Sequence, residues 1–146
     1  MKYLLSAIAI VTLFTLANCG SGSDDPEPVI TEEEKQLNRL AKTWVPGTVT
    51  HAGDEITEDF DGFTLIITKS KTYTVSGNMA GFDYEPFKNA GTWVFKDGNL
   101  NIMKRNDGVE MAVHVTDNTL ELTFDMAEEN GRIGGLGSYT FELVVK

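Results

Sequence analysis

Cysteine and histidine are scarce in this chain of 146 residues, which contains one cysteine and two histidines. The single cysteine, Cys19, excludes an internal disulfide. The two histidines, His51 and His114, are too few to give any nucleophile a visible general base. We therefore predict that the protein is not an enzyme and that it has no catalytic residue, metal site or bound cofactor.

Basic residues are also few, because 12 lysines and arginines stand against 22 aspartates and glutamates, for a net charge of −10. No basic patch offsets this excess. An acidic protein is repelled by the phosphates of nucleic acids and by anionic lipid surfaces. The composition therefore predicts no nucleic-acid partner.

A run long enough to span a membrane is missing as well. Tyr3 to Leu16 is apolar except for Ser6, Thr12 and Thr15, whereas a transmembrane helix needs about 20 predominantly apolar residues. Lys2 precedes the run, and small and polar residues follow it. This is the pattern of a cleaved export signal.

The residues Leu16-Ala17-Asn18-Cys19 resemble a lipobox, with Asn18 at a position where lipoboxes prefer glycine or alanine. The resemblance implies a lipoprotein signal peptide over residues 1–18, cleaved in front of a cysteine that carries diacylglycerol and a further acyl group such as palmitate. Stable attachment takes two or more acyl chains. The implied partner of Cys19 is therefore a membrane.

Residues 19–30 are predicted to form an acidic linker after the lipidated cysteine. Gly20 to Pro28 is small, acidic and rich in proline, so it cannot bury a core and is typical of a flexible tether. Its acidic cluster resembles the surface-export signal of some Gram-negative lipoproteins, and a solvated linker explains the same residues. We expect lipid anchoring in the outer membrane, on either the periplasmic or the cell-surface face.

The domain begins with a short predicted helix from Thr31 to about Leu40. Thr31 and Glu34 have the spacing of a capping box, and acids in the first turn are favoured by the helix dipole. Leu37, Leu40 and Ala41 share one stripe, so one side of the helix should cover an apolar surface. Residues 31–146 have the usual size for a single domain.

From Lys42 onward the apolar period changes to two, which is typical of antiparallel strands. The predicted strands are Lys42 to His51, Phe63 to Thr68, Lys71 to Ser76, Gly91 to Lys96, Asn99 to Lys104, Val109 to Thr116, Thr119 to Met126 and Ser138 to Val145. Short hairpin turns should join neighbours at Lys69-Ser70, Asp97-Gly98, Asn106-Asp107-Gly108 and Asp117-Asn118. About eight meandering strands predict an all-β, up-and-down antiparallel barrel, and a two-sheet sandwich is the alternative.

Alternation along these strands predicts which side chains face the interior. The inward set is Phe63, Leu65, Ile67, Tyr73, Val75, Trp93, Phe95, Leu100, Ile102, Met111, Val113, Val115, Leu120, Leu122, Phe124, Tyr139, Phe141, Leu143 and Val145. The outward set is Thr64, Thr72, Thr74, Glu110, His114, Glu121, Thr123, Thr140 and Glu142. Because the inward set is bulky, we expect a mostly packed interior with at most a shallow pocket near the mouth.

Several segments carry a family resemblance. They are Leu40 to Trp44, Gly53 to Leu65, Lys71 to Tyr73, Gly91 to Phe95 and Gly137 to Leu143. Over roughly residues 36–146 the chain resembles a bacterial lipocalin-like lipoprotein, with Lys42 at the glycine position of the lipocalin Gly-x-Trp motif. The resemblance implies a lipocalin-like, calycin-like barrel and brings no catalytic signature.

The candidate binding residues are Phe82, Tyr84, Phe87 and Trp93. The first three belong to the long segment Gly77 to Ala90, and loops of this length are unusual unless they are functional or mobile. These rings would contact a ligand at the mouth of the barrel, or they fold back over its open end. The acids Asp54, Glu55, Glu58, Asp59 and Asp61 lack the spacing of a calcium loop, so a solvated turn explains them.

Together these features favour a membrane-anchored lipoprotein that binds a small apolar or glycan ligand at the cell envelope. The alternative is a non-enzymatic accessory subunit that interacts with a protein partner in an outer-membrane complex. The two hypotheses differ in the barrel, because a ligand binder needs room inside it and an accessory subunit does not.

Overall fold

The computed structural model describes residues 29–77, 86–127 and 136–146. The predicted signal peptide, Cys19 and most of the predicted linker lie outside these residues. Helix α1 (Glu32–Leu40) begins as predicted, because Thr31 Oγ1 accepts a hydrogen bond of 3.1 Å from the backbone N–H of Glu34. In the described part of the chain, no helix is long and apolar enough to cross a membrane.

Nine strands occur in the described residues. They are β1 (Thr43–His51), β2 (Asp54–Glu55), β3 (Thr64–Ile67), β4 (Thr72–Ser76), β5 (Ala90–Lys96), β6 (Asn99–Arg105), β7 (Glu110–Val115), β8 (Thr119–Met126) and β9 (Gly137–Val145). Each strand pairs antiparallel with its neighbour in the order β2-β1-β3-β4-β5-β6-β7-β8-β9, and β9 also pairs with β1. Eight strands thus close into a barrel with β2 as a two-residue extension, so the predicted up-and-down barrel is confirmed and the sandwich alternative is wrong.

The tight turns explain why the chain meanders. Between β5 and β6, Asp97 and Gly98 both have positive φ, at 50° and 76°. Positive φ at both central residues defines a type I′ turn, and Asp-Gly is one of the sequences that this turn prefers. The backbone twist of a type I′ turn matches the right-handed twist of the two strands that it joins. This turn fixes β5 and β6 as antiparallel neighbours, as the sequence predicted.

The core fills the barrel, since each of the eight barrel strands contributes buried side chains. Helix α1 covers one end, where the Trp44 Nε1 donates a hydrogen bond of 3.0 Å to the Leu40 carbonyl. The Gln36 Nε2 donates another, of 3.1 Å, to the Leu100 carbonyl. Both bonds join the helix to the rim of the barrel. They also give hydrogen-bond partners to polar groups that would otherwise be buried without one.

The predicted faces are correct for most strand positions, but β6 departs from them. The register between β5 and β6 shifts after Phe95, which pairs with Met103, whereas Lys96 pairs with Asn99. As a result Met103 and Arg105 face the interior, and Ile102 lies on the outer face opposite Ala112. The prediction that Ile102 points inward was wrong because the irregularity reverses the period-two pattern.

Two further positions differ from the prediction. Val145, expected inside, is 38% exposed at the end of β9, where the barrel wall stops. Thr64, expected to face water, is only 9% exposed. It lies in an external cleft beside the 3₁₀ helix Thr57–Phe60, so outward parity does not leave it solvated.

Candidate functional site

Two of the four predicted binding residues can be placed. Phe82 and Tyr84 lie outside the described residues. Phe87 is 1% exposed and Trp93 is 2% exposed, so both side chains are inside the molecule. Both residues therefore belong to the barrel core, and neither lines an open mouth.

Phe87 occupies the middle of the barrel although it does not belong to a strand. Residues 86–89 precede β5, and the Phe87 ring packs edge-on against Phe124 at 5.5 Å and Phe141 at 5.3 Å between ring centroids. It also lies 5.9 Å from the ring of Phe63 and 6.2 Å from that of Tyr73. A ring supplied by the segment outside the strands therefore fills the space that the strands enclose.

Arg105 is a fully buried charge beside this ring. Its guanidinium carbon lies 5.0 Å from the centre of the Phe87 ring and 5.8 Å from that of Tyr73, within cation–π range. The Arg105 Nη1 donates a hydrogen bond of 2.6 Å to the Pro86 carbonyl. The guanidinium thus holds both the backbone and the ring of the segment that enters the barrel.

Asp107 supplies the counter-charge in a two-bond pair. Arg105 donates from Nε at 3.1 Å to Asp107 Oδ1 and from Nη2 to Oδ2. Burial raises the pKa of the Asp107 carboxyl, but the hydrogen bonds and charge of Arg105 and the backbone N–H of Val109 outweigh it, so the pKa is lowered overall. The Asp107 carboxyl is therefore ionised at neutral pH.

Trp93 lies directly opposite Arg105 in the β5–β6 ladder. Its ring packs edge-on against Phe95, with 5.0 Å between centroids. The Trp93 Nε1 is buried and has no hydrogen-bond partner within the described ranges. A buried indole N–H usually has an acceptor, so this donor is a polar group of the core that a bound acceptor could satisfy.

Little free space is found inside the barrel among the described residues. An interior cavity there has a volume of about 10 Å³, with Phe87, Tyr73, Leu65, Ile67, Met103, Met111 and Leu122 around it. That volume holds one water at most. The expectation of a mostly packed interior is therefore met by the residues that the structure describes.

Larger spaces lie on the outside. A cleft of about 600 Å³ separates β1 from β3 beside the 3₁₀ helix. A groove of about 290 Å³ crosses β8 and β9, and the exposed His114 borders it. The outward position predicted for His114 is confirmed.

The acids near the cleft do not form a metal centre. Asp54, Glu55, Glu58, Asp59 and Asp61 are all exposed. Across the three described ranges, no group of three or more histidine, cysteine, aspartate or glutamate side chains could hold a metal ion.

Arg105 is a buried polar residue that the sequence analysis missed. Period-two alternation through β6 placed Leu100 and Ile102 on the inner face, and the same alternation would place Arg105 on the outer face.

Comparison of the chain with protein-family models, with curated proteins and with solved structures finds no match. The described geometry defines the class of fold, which is a small closed antiparallel β-barrel with one covering helix. Functional inference rests on the side chains in and around that barrel.

Proposed function

We propose that the chain is a lipocalin-like lipoprotein of the cell envelope, anchored through Cys19, whose barrel binds a small and largely apolar ligand in place of Phe87. The observation that carries the proposal is the position of Phe87. This ring is 1% exposed at the centre of the barrel, yet it comes from a segment outside the strands. Withdrawal of the Phe87 ring would open an apolar site while the pairing of β4 with β5, from Thr72–Thr92 to Thr74–Ala90, stays in place.

The walls around Phe87 suggest the chemistry of the ligand. Phe63, Tyr73, Phe124 and Phe141 would surround an apolar or aromatic group with edge-on contacts. The Arg105 guanidinium now donates to the Pro86 carbonyl, and the Trp93 Nε1 has no partner among the described residues, so both are donors that a ligand could use. A ligand with an apolar body and one hydrogen-bond acceptor, including an apolar molecule that carries a sugar, fits this set best.

A second candidate function is favoured by a different observation. The interior cavity formed by the described residues is only about 10 Å³, and a filled barrel suits a non-enzymatic accessory subunit of an outer-membrane complex. In that case the outer surface would contact a protein partner and Phe87 would remain in place.

Native mass spectrometry of the acylated protein released from membranes in mild detergent distinguishes the two candidates. If the barrel binds a ligand, the folded protein carries a small mass that denaturation removes, and Tyr84→Ala changes its retention. Val144→Ala is the control, because Val144 is 41% exposed on the outer face of β9. A folded protein that stays empty after exposure to envelope lipid and glycan extracts contradicts ligand binding and makes crosslinking to a partner the next step.

The anchor has its own test. Replacing Cys19 with serine removes the only thiol in the chain, so no acyl chain can be attached there. We expect Cys19→Ser to yield unprocessed or soluble protein, measured by membrane fractionation and by metabolic labelling with a clickable fatty acid. Labelled protein from this variant would refute the lipoprotein assignment.

A further inference from the structure

The segment that enters the barrel makes two different contacts with Arg105. The Pro86 carbonyl accepts a hydrogen bond of 2.6 Å from Arg105 Nη1, and the centre of the Phe87 ring lies 5.0 Å from the guanidinium carbon. Pro86 and Phe87 are both buried, and neither belongs to a strand. The Phe87 nitrogen, Cα and Cβ separate this carbonyl from the ring. A carbonyl and an aromatic ring at this spacing therefore occupy the site in the way that a ligand would.

The Arg105–Asp107 pair is fixed by bonds that do not involve this segment. The Arg105 N–H donates to the Val109 carbonyl at 2.9 Å, and the Gly108 N–H donates to the Arg105 carbonyl at 3.0 Å. The Val109 N–H donates to Asp107 Oδ1 at 3.3 Å. These bonds lie at the turn between β6 and β7, so the guanidinium should stay in place when the entering segment leaves.

Asp107 already neutralises the charge on Arg105. The Nε and Nη2 of Arg105 donate to the two carboxylate oxygens of Asp107, and Nη1 donates to the Pro86 carbonyl. The Arg105 side chain is 0% exposed and that of Asp107 is 8% exposed. A ligand carboxylate on Nη1 would place a second negative charge beside one guanidinium, and burial of an unbalanced charge is strongly unfavourable. An uncharged carbonyl would accept the same hydrogen bond without adding charge.

We propose that the site selects an uncharged N-acyl amide whose carbonyl is joined to an aromatic ring at the spacing found between Pro86 and Phe87. This inference rests on the proposed binding of a ligand in place of Phe87, and it names the chemistry of that ligand. The amide carbonyl would accept from Arg105 Nη1, and the aromatic group would lie among the rings that now surround Phe87. Asp107 would determine specificity, because its carboxylate disfavours an acidic ligand at the guanidinium.

The test is isothermal titration of the full acylated protein in phospholipid nanodiscs at neutral pH with N-(2-phenylethyl)acetamide and 4-phenylbutanoate. Both probes have the spacing of carbonyl and ring found in Pro86 and Phe87, and only the second is charged. Pentylbenzene, which has a similar chain and no acceptor, is the third probe. We expect the parent to bind the amide about tenfold more tightly than the carboxylate, because the carboxylate would be buried beside Asp107.

Asp107→Asn leaves the guanidinium without a counter-charge and should reverse this preference. The carboxylate probe then supplies the missing charge, so its affinity relative to the amide should rise at least about tenfold. Partition of the probes into lipid cancels, because the same two probes are compared in each variant. Asp125→Asn is the matched control, since it removes the same charge from an exposed position on β8 and should keep the preference of the parent. Circular dichroism checks that each variant is folded.

The double variant Arg105→Met with Asp107→Asn tests the donor even if Asp107→Asn alone does not fold. It removes the guanidinium together with its counter-charge, so the amide loses its hydrogen bond. Its affinity for the amide relative to pentylbenzene should fall about tenfold, the usual effect of one hydrogen bond to a charged group.

The inference is overturned if the parent prefers the carboxylate, if Asp107→Asn keeps the preference for the amide, or if Asp125→Asn changes that preference as much. It is also overturned if the double variant keeps the parent's ratio of amide to pentylbenzene affinity. In each of these cases, binding of a probe still supports the proposed function. A parent that binds none of the three probes contradicts both.

Discussion

Replacing Phe87 with alanine should lower the free energy of unfolding by about 3 to 5 kcal/mol, the usual cost of removing a buried phenylalanine ring. The ring is 1% exposed, and four other aromatic rings surround it. Those rings belong to different parts of the barrel wall, so they cannot all move inward to close the space. The loss should therefore lie near the upper end of the range.

Urea unfolding followed by tryptophan fluorescence measures this loss, since Trp44 and Trp93 are both buried in the core. Phe87→Leu keeps most of the apolar volume and should lose less. Val94→Ala is the control, because Val94 is 54% exposed on β5 and surface changes usually stay within about 0.5 kcal/mol.

The same variant tests the proposed ligand site. The space left by the ring is apolar and enclosed, and such cavities bind small aromatic molecules. Benzene or indole should therefore raise the unfolding midpoint of Phe87→Ala and leave the parent unchanged. If Phe87→Ala loses less than about 1 kcal/mol and gains nothing from either molecule, the ring does not fill the barrel as described.

The fold was predictable because its signals are local. The period-two pattern and turns such as Asp97-Gly98 act over a few residues, and each hairpin fixes one antiparallel neighbour. Closure between β1 and β9 is not local, and it was inferred only because a barrel removes exposed edges. The helix was predicted from its cap, and Thr31 does accept the bond from the Glu34 N–H.

The interior of the site was harder to predict for a physical reason. The register shift after Phe95 moves Arg105 to the inner face, and no residue in the sequence marks that irregularity. A charged side chain is also rarely buried without a partner, so Arg105 becomes plausible inside only when Asp107 is seen beside it. Pattern reasoning placed Phe87 among the binding residues but not in the centre of the barrel.

The external cleft beside the 3₁₀ helix could not be predicted from local sequence patterns either. It depends on the point at which β1 leaves β3 and on the packing of a four-residue 3₁₀ helix between them. Period-two alternation sends Thr64 to solvent, whereas the cleft buries it. Long-range strand divergence of this kind has no signature over a window of a few residues.

Replacing Asp107 with asparagine should cost about 3 to 5 kcal/mol at neutral pH, because it leaves the Arg105 guanidinium buried without a counter-charge. The Arg105 side chain is 0% exposed and that of Asp107 is 8% exposed, so water cannot replace the lost partner. Arg105 would also hold the Pro86 carbonyl less firmly, since one guanidinium makes both contacts. Phe87 should then be released more easily from the barrel.

The free energy of unfolding should depend on pH in a direction that the pKa of Asp107 determines. The pKa of Asp107 is lowered from its ordinary value of 3.8, so the ionised carboxylate is favoured in the folded state. Its contribution to stability is complete above that ordinary value and is lost as the pH falls through the lower pKa of the folded protein. Urea unfolding of the parent should therefore show a loss of stability on the acidic side that Asp107→Asn lacks.

The double variant Arg105→Met with Asp107→Asn separates charge from packing. Removing both charges avoids an unpaired buried ion, which is what makes the loss of one partner of a buried pair strongly destabilising. The double variant should therefore be more stable than Asp107→Asn alone, while Asp125→Asn on the surface should match the parent. If Asp107→Asn instead keeps a constant deficit from neutral to acidic pH, packing and not the ion pair accounts for the loss, because protonation of Asp107 would otherwise remove the difference.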